Sequence, residues 1–532
     1  MKKTAVFFFV LAFLAGIIIL APYHNFQNVL SQGDHGHNLY CYKKTMDGAL
    51  PYQDYYWPYG PLMPYYYALF LKLFGVSIQS VLLGKVVLNF MAGIFFYFAI
   101  CALFPPALGF TAALWFWTHK PDFFFTYNHI GGITLSFVVI YFLFLYIKTL
   151  QRKYIWLGFL ATFLFALVKL NFGISCLVAL VASLLLTDSI KGNPLRRNNR
   201  ILFILGAIVT ISLTAMIYWA LTRNLPASYV QQCLPYTGYG HIGQRLTSIL
   251  SSCEMWFRLF ILNFVTSWSD FFFNMILMLC ALQSARLYSQ NKINPEFKKN
   301  LLCILAATAI FYVLQLHEFF IGGPTIYRSE WMEPFKFLFV FILLGTVIIH
   351  SRLLLKSLLF GTLILICTLQ VLGIYRMAKA TKTPEHLFSS GKTKIYVNNT
   401  PEWIRVVQET THYLKTNLKK DEMFFAFPNE TLYYFLTGKD SPTRDLVFMS
   451  TGEEQEKEII SVMEKKKIDF FLLSNRADTQ EYKMERTFGV TYGKILAPYL
   501  RDHFRVEASF GEWISPGGWI LNHNTKILRR RN

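Results

Sequence analysis

Apolar runs recur along this chain, some long enough to cross a lipid bilayer and several shorter than a straight span needs, and no other feature limits its fold so strongly. They lie at about residues 5–22, 78–103, 106–118, 130–148, 154–169, 172–187, 200–221, 259–283, 300–316, 335–349 and 354–375. In hydrocarbon no water meets the backbone, so such runs must close their N–H and C=O groups internally as helices. The chain is 54% hydrophobic and 15% charged over 532 residues, which excludes an ordinary soluble protein of this size. The expectation is a polytopic α-helical membrane protein with about eleven transmembrane helices. The run at 5–22, AVFFFVLAFLAGIIILAP, has a long apolar core and no small-x-small cleavage site after it, so it reads as a retained helix and not as a cleaved signal peptide.

Charge sets the expected orientation. The formal net charge is +20, and its Lys and Arg fall in short segments between apolar runs: Lys148, Arg152 and Lys153, then Lys191, Arg196, Arg197 and Arg200, then Arg286, Lys292, Lys298 and Lys299, then Arg352 and Lys356. By the positive-inside rule these segments are cytoplasmic, which puts the N-terminus inside and the C-terminal part outside. There is no zinc-finger spacing and no RNA-binding signature, so nucleic acid is not an expected partner. The eight Cys residues are singletons without C-x-x-C. Cys101, Cys176, Cys280, Cys303 and Cys367 lie in apolar runs as small buried hydrophobes, while Cys233 and Cys253 share one outer loop, where a disulfide is an open alternative.

Near Lys379 the composition changes. Strand-like MFFAFP and DFFLLS alternate with the helical pattern GEEQEKEIISVMEKKK, as a small α/β domain would. The division expected is a transmembrane domain at 1–378, with a large first outer loop at 23–77, and a soluble α/β extracytoplasmic domain at 379–532. The closing KILRRRN reads as a solvated tail near lipid headgroups. Thr222 to Arg258, rich in Gly, Pro and Tyr, reads as an ordered irregular outer loop.

The first outer loop carries the chemistry. Gly33 to Gly75, GDHGHNLYCYKKTMDGALPYQDYYWPYGPLMPYYYALFLKLFG, holds carboxylates, histidines, aromatics and prolines beside a membrane surface. Asp34 there suits a general base. A solvated loop aspartate is the simpler reading of position alone. Tyr52, Tyr55, Tyr56, Trp57 and Tyr59 around Asp54 suit an interfacial belt, and part of the run also suits stacking on sugar rings. LMPYYYALFLKLF has the apolar bulk of a helix lying along the interface.

The pattern resembles the first outer loop of bacterial GT-C glycosyltransferases, the superfamily of the dolichyl-phosphate-mannose protein mannosyltransferases and the lipid A aminoarabinose transferases. Asp34, Gly48, Pro51, Tyr52, Asp54, Gly60, Pro61, Leu62, Leu73, Phe74 and Gly75 match it. The second acidic position is His35, a departure from the family, whose imidazole can change charge near neutral pH. Lys169-Leu170-Asn171-Phe172-Gly173 is similar to the family's Lys-x-Asn/Thr-x-Gly, and Phe425 to Asp445, FAFPNETLYYFLTGKDSPTRD, resembles a segment of its outer domain.

The resemblance implies an inverting transferase that moves a sugar from a polyprenyl-phosphate carrier to a cell-envelope glycan, lipid or protein, in a bacterial inner membrane. The lipid-linked sugar is its donor, and a divalent metal is an open alternative that the residues do not support. Asp34 would deprotonate the acceptor and Lys169 would meet the leaving phosphate, since a Lys at the end of an apolar helix either snorkels or binds an anion. Arg328 is a second phosphate candidate, with Arg245 and Arg258 behind it. Asp54, His35, Tyr52, Trp57, His317 and Glu318 are candidate substrate contacts, and Glu330, Glu333, Asp122 and His129 form a second tier for which an interfacial role is the simpler reading. The rival class is a transporter or flippase of a lipid-linked sugar. It explains the spans but not the motif-bearing loop, and transporters place ionisable groups near the bilayer midplane, where Lys85 is the notable case. A non-catalytic scaffold would tolerate substitution of the acidic loop.

Overall fold

A computed structural model of the chain describes residues 2–119, 126–192, 196–227, 229–230, 268–289, 294–317, 330–448, 452–475, 488–490, 492–513 and 524–531. In chain order its longer helices are α1 (Lys2–Leu20), α2 (Asp34–Met46), α3 (Leu62–Phe74), α4 (Ile78–Cys101), α5 (Pro106–His119), α6 (His129–Thr149), α7 (Lys153–Ala166), α8 (Leu170–Lys191), α9 (Arg196–Thr222), α10 (Trp268–Ser289), α11 (Pro295–Gln315), α12 (Glu333–His350) and α13 (Leu353–Thr381). Eight of them, α1, α4, α6, α8, α9, α11, α12 and α13, are long and apolar enough to cross a membrane. The chain is a multi-pass membrane protein. The apolar runs at 106–118 and 154–169 form the 14-residue helices α5 and α7, and the run at 259–283 starts outside the described residues and ends within α10.

The chain forms two compact units. The helical unit holds Met1–Ala21, Pro58–Met63 and Lys85–Tyr375; the other holds Pro22–Trp57, Pro64–Gly84 and Arg376–Asn532. In the helical unit, the end of α7 and the start of α8 pack so closely that a Cβ on Gly173 would stand 2.2 Å from Ala166 Cα. A buried polar anchor ties α6, α8 and α9. The Tyr146 hydroxyl donates to Asp188 Oδ1 at 2.6 Å and the Asn199 amide to Asp188 Oδ2 at 3.0 Å, which satisfies a carboxylate that burial would otherwise penalise.

The second unit is α/β. Beyond α13 come β2 (Leu387–Ser390), β3 (Thr393–Val397), α14 (Pro401–Asn417), β4 (Phe424–Phe427), α15 (Leu432–Thr437), α16 (Glu453–Lys465), β5 (Phe470–Ser474), α17 (Leu496–His503), β6 (Phe504–Phe510) and β7 (Thr525–Arg530), with β1 (Phe26–Gln27) ahead of α2. The small sheet β1-β3-β2 pairs Phe26 with Tyr396 and Gln27 with Val397 in parallel. The larger sheet runs β4-β5-β7-β6, with β4 and β5 parallel and β7 antiparallel to both neighbours. Strands β4 and β5 are buried at every residue, as continuous apolar runs covered on both faces must be. Their core closes over Phe425, Phe427, Phe471, Ile459 and Met463. α16 carries Glu453, Glu454 and Glu456 in its first turn and Lys465 in its last, complementing the helix dipole.

Two sequence readings change here. The closing KILRRRN is not a solvated tail: its first five residues lie in β7, between β5 and β6, with Ile527 fully buried and Arg530 paired to Glu464. Charge at the chain end concealed a strand whose basic side chains find carboxylate partners. Residues 34–46, read as loop, form α2, which is polar in sequence and yet buried along most of its length. LMPYYYALFLKLF is helical as expected, and Tyr65, Leu69 and Leu73 leave an apolar stripe exposed at i, i+4 and i+8. The cysteines Cys176, Cys280, Cys303 and Cys367 are buried and free, with Cys101 half-buried. Cys233 and Cys253, and the loop beyond Val230, lie outside the described residues.

Candidate functional site

In the α/β unit, Asp34 opens α2. Its carboxylate stands in the first turn, where the helix dipole favours negative charge. From Leu30 to Tyr42 every residue is buried except Asp34, which is half-buried. A merely solvated loop would leave its neighbours exposed as well. Gly36 makes this arrangement possible, because a Cβ there would lie 2.2 Å from the Leu432 backbone nitrogen. The Asp34 turn and the FAFPNETLYYFLTGKDSPTRD stretch, far apart in sequence, therefore pack directly together. Ser441 N donates to the Tyr40 hydroxyl at 2.9 Å, Lys44 pairs with Asp440 at 3.0 Å, and Tyr56 N donates to Arg444 O at 3.0 Å.

The neighbours of Asp34 point inward. His35 is 1% exposed and its Nδ1 accepts the Ser31 amide at 3.0 Å. His37 is buried as well, donating from Nε2 to Tyr56 O at 2.9 Å and stacking on Trp57 at 5.6 Å. Burial lowers its pKa below 6.5, opposed in part by the Tyr56 carbonyl and the Asp34 carboxylate.

The aromatic run is mostly packing. Tyr52, Tyr55 and Trp57 are at most 1% exposed. Trp57 meets Tyr42 edge-on at 5.9 Å, and Tyr42 stacks on Tyr67 at 4.6 Å. Tyr52 adopts φ 71°, a left-handed conformation that a bulky residue takes only when its surroundings enforce it. In the same tight loop Asp54 is exposed, and its Oδ2 accepts the Leu50 amide at 2.7 Å. Asp54 closes a turn there, and Tyr52 and Trp57 build the loop's interior.

In the helical unit, two motifs meet. Gly60 N donates to Val168 O and Leu62 N to Leu167 O, both at 2.9 Å, and a Cβ on Gly60 would lie 2.1 Å from Leu167 O. Gly60-Pro61-Leu62 thus braces the residues just before Lys169, which caps α8. The Lys169 ammonium lies 4.8 Å from the Phe172 ring centre and 5.3 Å from that of Trp331, a cation–π placement that orients the charge. Trp331 stacks on Phe172 at 3.9 Å and meets His129 at 5.1 Å, and His129 meets Tyr59 edge-on at 5.2 Å. His317 lies 4.8 Å from Phe172. Its Nδ1 donates to Leu314 O at 2.8 Å, and its Nε2 accepts the Asn171 amide at 3.1 Å. Lys169, Asn171 and Gly173 of the motif thus serve as a cation, a histidine anchor and a point of close helix approach.

No protein-family model matches the sequence, and no curated protein matches it significantly. Solved structures do match. The oligosaccharyltransferase of Archaeoglobus fulgidus, in complex with Zn and sulfate, superposes at TM-score 0.51 and 12% identity, covering 88% of this chain and 68% of that one. Its apo form gives TM-score 0.51 and 12% identity over 89% and 70%. The chain has the GT-C fold. ArnT of Cupriavidus metallidurans, in its apo state, aligns over 99% of this chain and 98% of its own at 10% identity and TM-score 0.42.

Within this GT-C fold, the residues singled out from sequence fall in three groups. Asp34, His35, Tyr52, Asp54 and Trp57 are in the α/β unit, and Lys169, His129, His317, Glu330 and Glu333 in the helical unit. Arg328, Glu318, Asp122, Arg245 and Arg258 lie outside the described residues. Sequence reasoning missed Trp331, whose ring joins Lys169 to His129; its only signal was an aromatic among polar residues just before a span. Among the described residues no three His, Cys, Asp or Glu side chains converge as a metal site.

Proposed function

We propose that this chain is an inverting GT-C glycosyltransferase. It takes a sugar from a polyprenyl-phosphate carrier and transfers it to an envelope glycan, lipid or protein at the outer face of a bacterial inner membrane, with the α/β unit on that side. Asp34 accepts the proton of the acceptor hydroxyl or amine as that group attacks the anomeric carbon. The new glycosidic bond forms opposite the breaking sugar–phosphate bond, and the phosphate leaves with the electron pair. Lys169 neutralises that phosphate, while His317 and Asn171 hold the start of α8 in place. The half-buried Asp34 in an otherwise buried stretch carries this reading, with the fold shared with an oligosaccharyltransferase behind it.

That relative's structure holds Zn. In this chain the position after Asp34 is a buried His35 whose Nδ1 is taken by the Ser31 amide, a donor set that does not fit a metal beside Asp34. No step is therefore routed through one.

The test is mass spectrometry of envelope glycans and lipids in a deletion strain, which identifies the missing sugar, followed by complementation. Wild-type protein should restore it, whereas Asp34→Asn should restore none and Lys169→Met far less than wild type at equal membrane abundance. Normal restoration by Asp34→Asn would refute the reading.

A further inference from the structure

We propose that Thr431 and Trp403, from the C-terminal part of the chain, are positioning residues for Asp34. The inference rests on the reading of Asp34 as base and adds the groups that set its aim. Three donors converge on the two residues just before it. Leu432 N donates to Gln32 O at 3.0 Å, the Thr431 hydroxyl to Gly33 O at 3.2 Å, and the Trp403 indole N–H to Gln32 Oε1 at 2.9 Å. Two residues before Gln32, Asn399 clasps Leu30 on both sides, accepting its amide at 2.9 Å and donating to its carbonyl at 2.8 Å.

The Gly33 carbonyl is the decisive atom. It accepts the His37 amide at 2.6 Å, the bond that starts the first turn of α2, and Thr431 takes a second bond at the same oxygen. The Gly33 carbonyl thus accepts the helix amide and the Thr431 hydroxyl, which it shares with Gln32 O at 3.4 Å, and the first turn bearing Asp34 is restrained with it. Trp403 is itself anchored, because its amide donates to the Thr400 hydroxyl that caps α14. Gln32, Thr431 and Trp403 are at most 1% exposed, so water does not replace these bonds. With Gly36 pressed on Leu432, the turn has no slack. Packing alone would need only apolar volume at these positions; the structure puts hydrogen-bond donors there, aimed at the backbone and side-chain oxygens preceding one carboxylate. Catalytic groups depend on such placement, since an error of about 1 Å costs on the order of a hundredfold in rate.

The experiment compares full-length wild type with Thr431→Val, which keeps the volume and loses the hydroxyl, Thr431→Ser, which restores it, and Trp403→Phe. Two readouts are taken: the initial rate at which the missing envelope sugar returns after induction in the deletion strain, and hydrogen exchange of the purified chain in detergent. Expected are a loss of about tenfold or more for Thr431→Val and Trp403→Phe at normal membrane abundance, and most of the rate kept by Thr431→Ser. Faster exchange should be confined to the Gly36 and His37 amides in Thr431→Val, with the four-stranded sheet still protected. Wild-type rates in Thr431→Val, equal loss in Thr431→Ser, or faster exchange spread through the sheet would each overturn the proposal. Restoration by Asp34→Asn would remove the transferase reading and with it the catalytic purpose assigned to these bonds.

Discussion

His37 shows how a histidine beside the proposed base serves structure. It donates to Tyr56 O and stacks on Trp57, tying the far end of the first loop to α2. Burial resists its protonation, so its folded-state pKa lies below 6.5. The unfolded chain takes up that proton as the pH falls past 6.5 and the folded chain does not. The stability contribution is therefore complete above pH 6.5 and is lost as the pH drops from there toward the lowered folded value. Thermal melts in detergent should show wild type less stable at about pH 5.5 than at about pH 7.5, and His37→Gln, which keeps a donor and cannot titrate, should show a smaller difference. An unchanged difference in that variant would assign the effect elsewhere.

Among the elements, the glycines at close approaches carry the sharpest expectations. Gly173 starts α8 against Ala166, with no room for a methyl group. Gly173→Ala should cost about 1–3 kcal/mol as an overpacked contact, read as a lower melting temperature, and should shift Lys169 with the helix start that carries it. The spans, the α/β composition beyond Lys379, strands β4 and β5, and helices α3 and α16 were legible because each has its own period or apolar run. Helix α2 was not. Its sequence, DHGHNLYCYKKTM, has no apolar stripe, and it is helical because residues from the other end of the chain bury it. Strand β7 was hidden for a similar reason, since Arg529 and Arg530 look like a solvated tail until Glu507, Glu464 and Asp469 come beside them. Asp34 and Lys169 were readable as motif residues, each in its own unit, whereas the contacts of Trp331, Thr431 and Trp403 arise only in the tertiary structure.

At the scale of the molecule, most of the first loop and the C-terminal region form one unit although the membrane helices separate them in sequence. Cutting the chain after Tyr375 would remove β3 from β1, Leu432 from Gln32 and Asn399 from Leu30. The truncated protein should still insert, and limited proteolysis with mass spectrometry should find new cleavage between Pro22 and Trp57 that full-length protein resists. Protection of that stretch without the C-terminal region would show that the loop folds alone.

The pairing of Leu30 with Asn399 spans 369 residues of chain. At synthesis rates of about 5–20 residues per second, the ribosome needs roughly 20–70 s to deliver the second partner after the first. During that interval the acidic turn lacks the strand and helix that will shape it. The order of biogenesis therefore makes synthesis of the C-terminal region the event that assembles the turn around Asp34, and a polypeptide terminated before it has the carboxylate without these contacts.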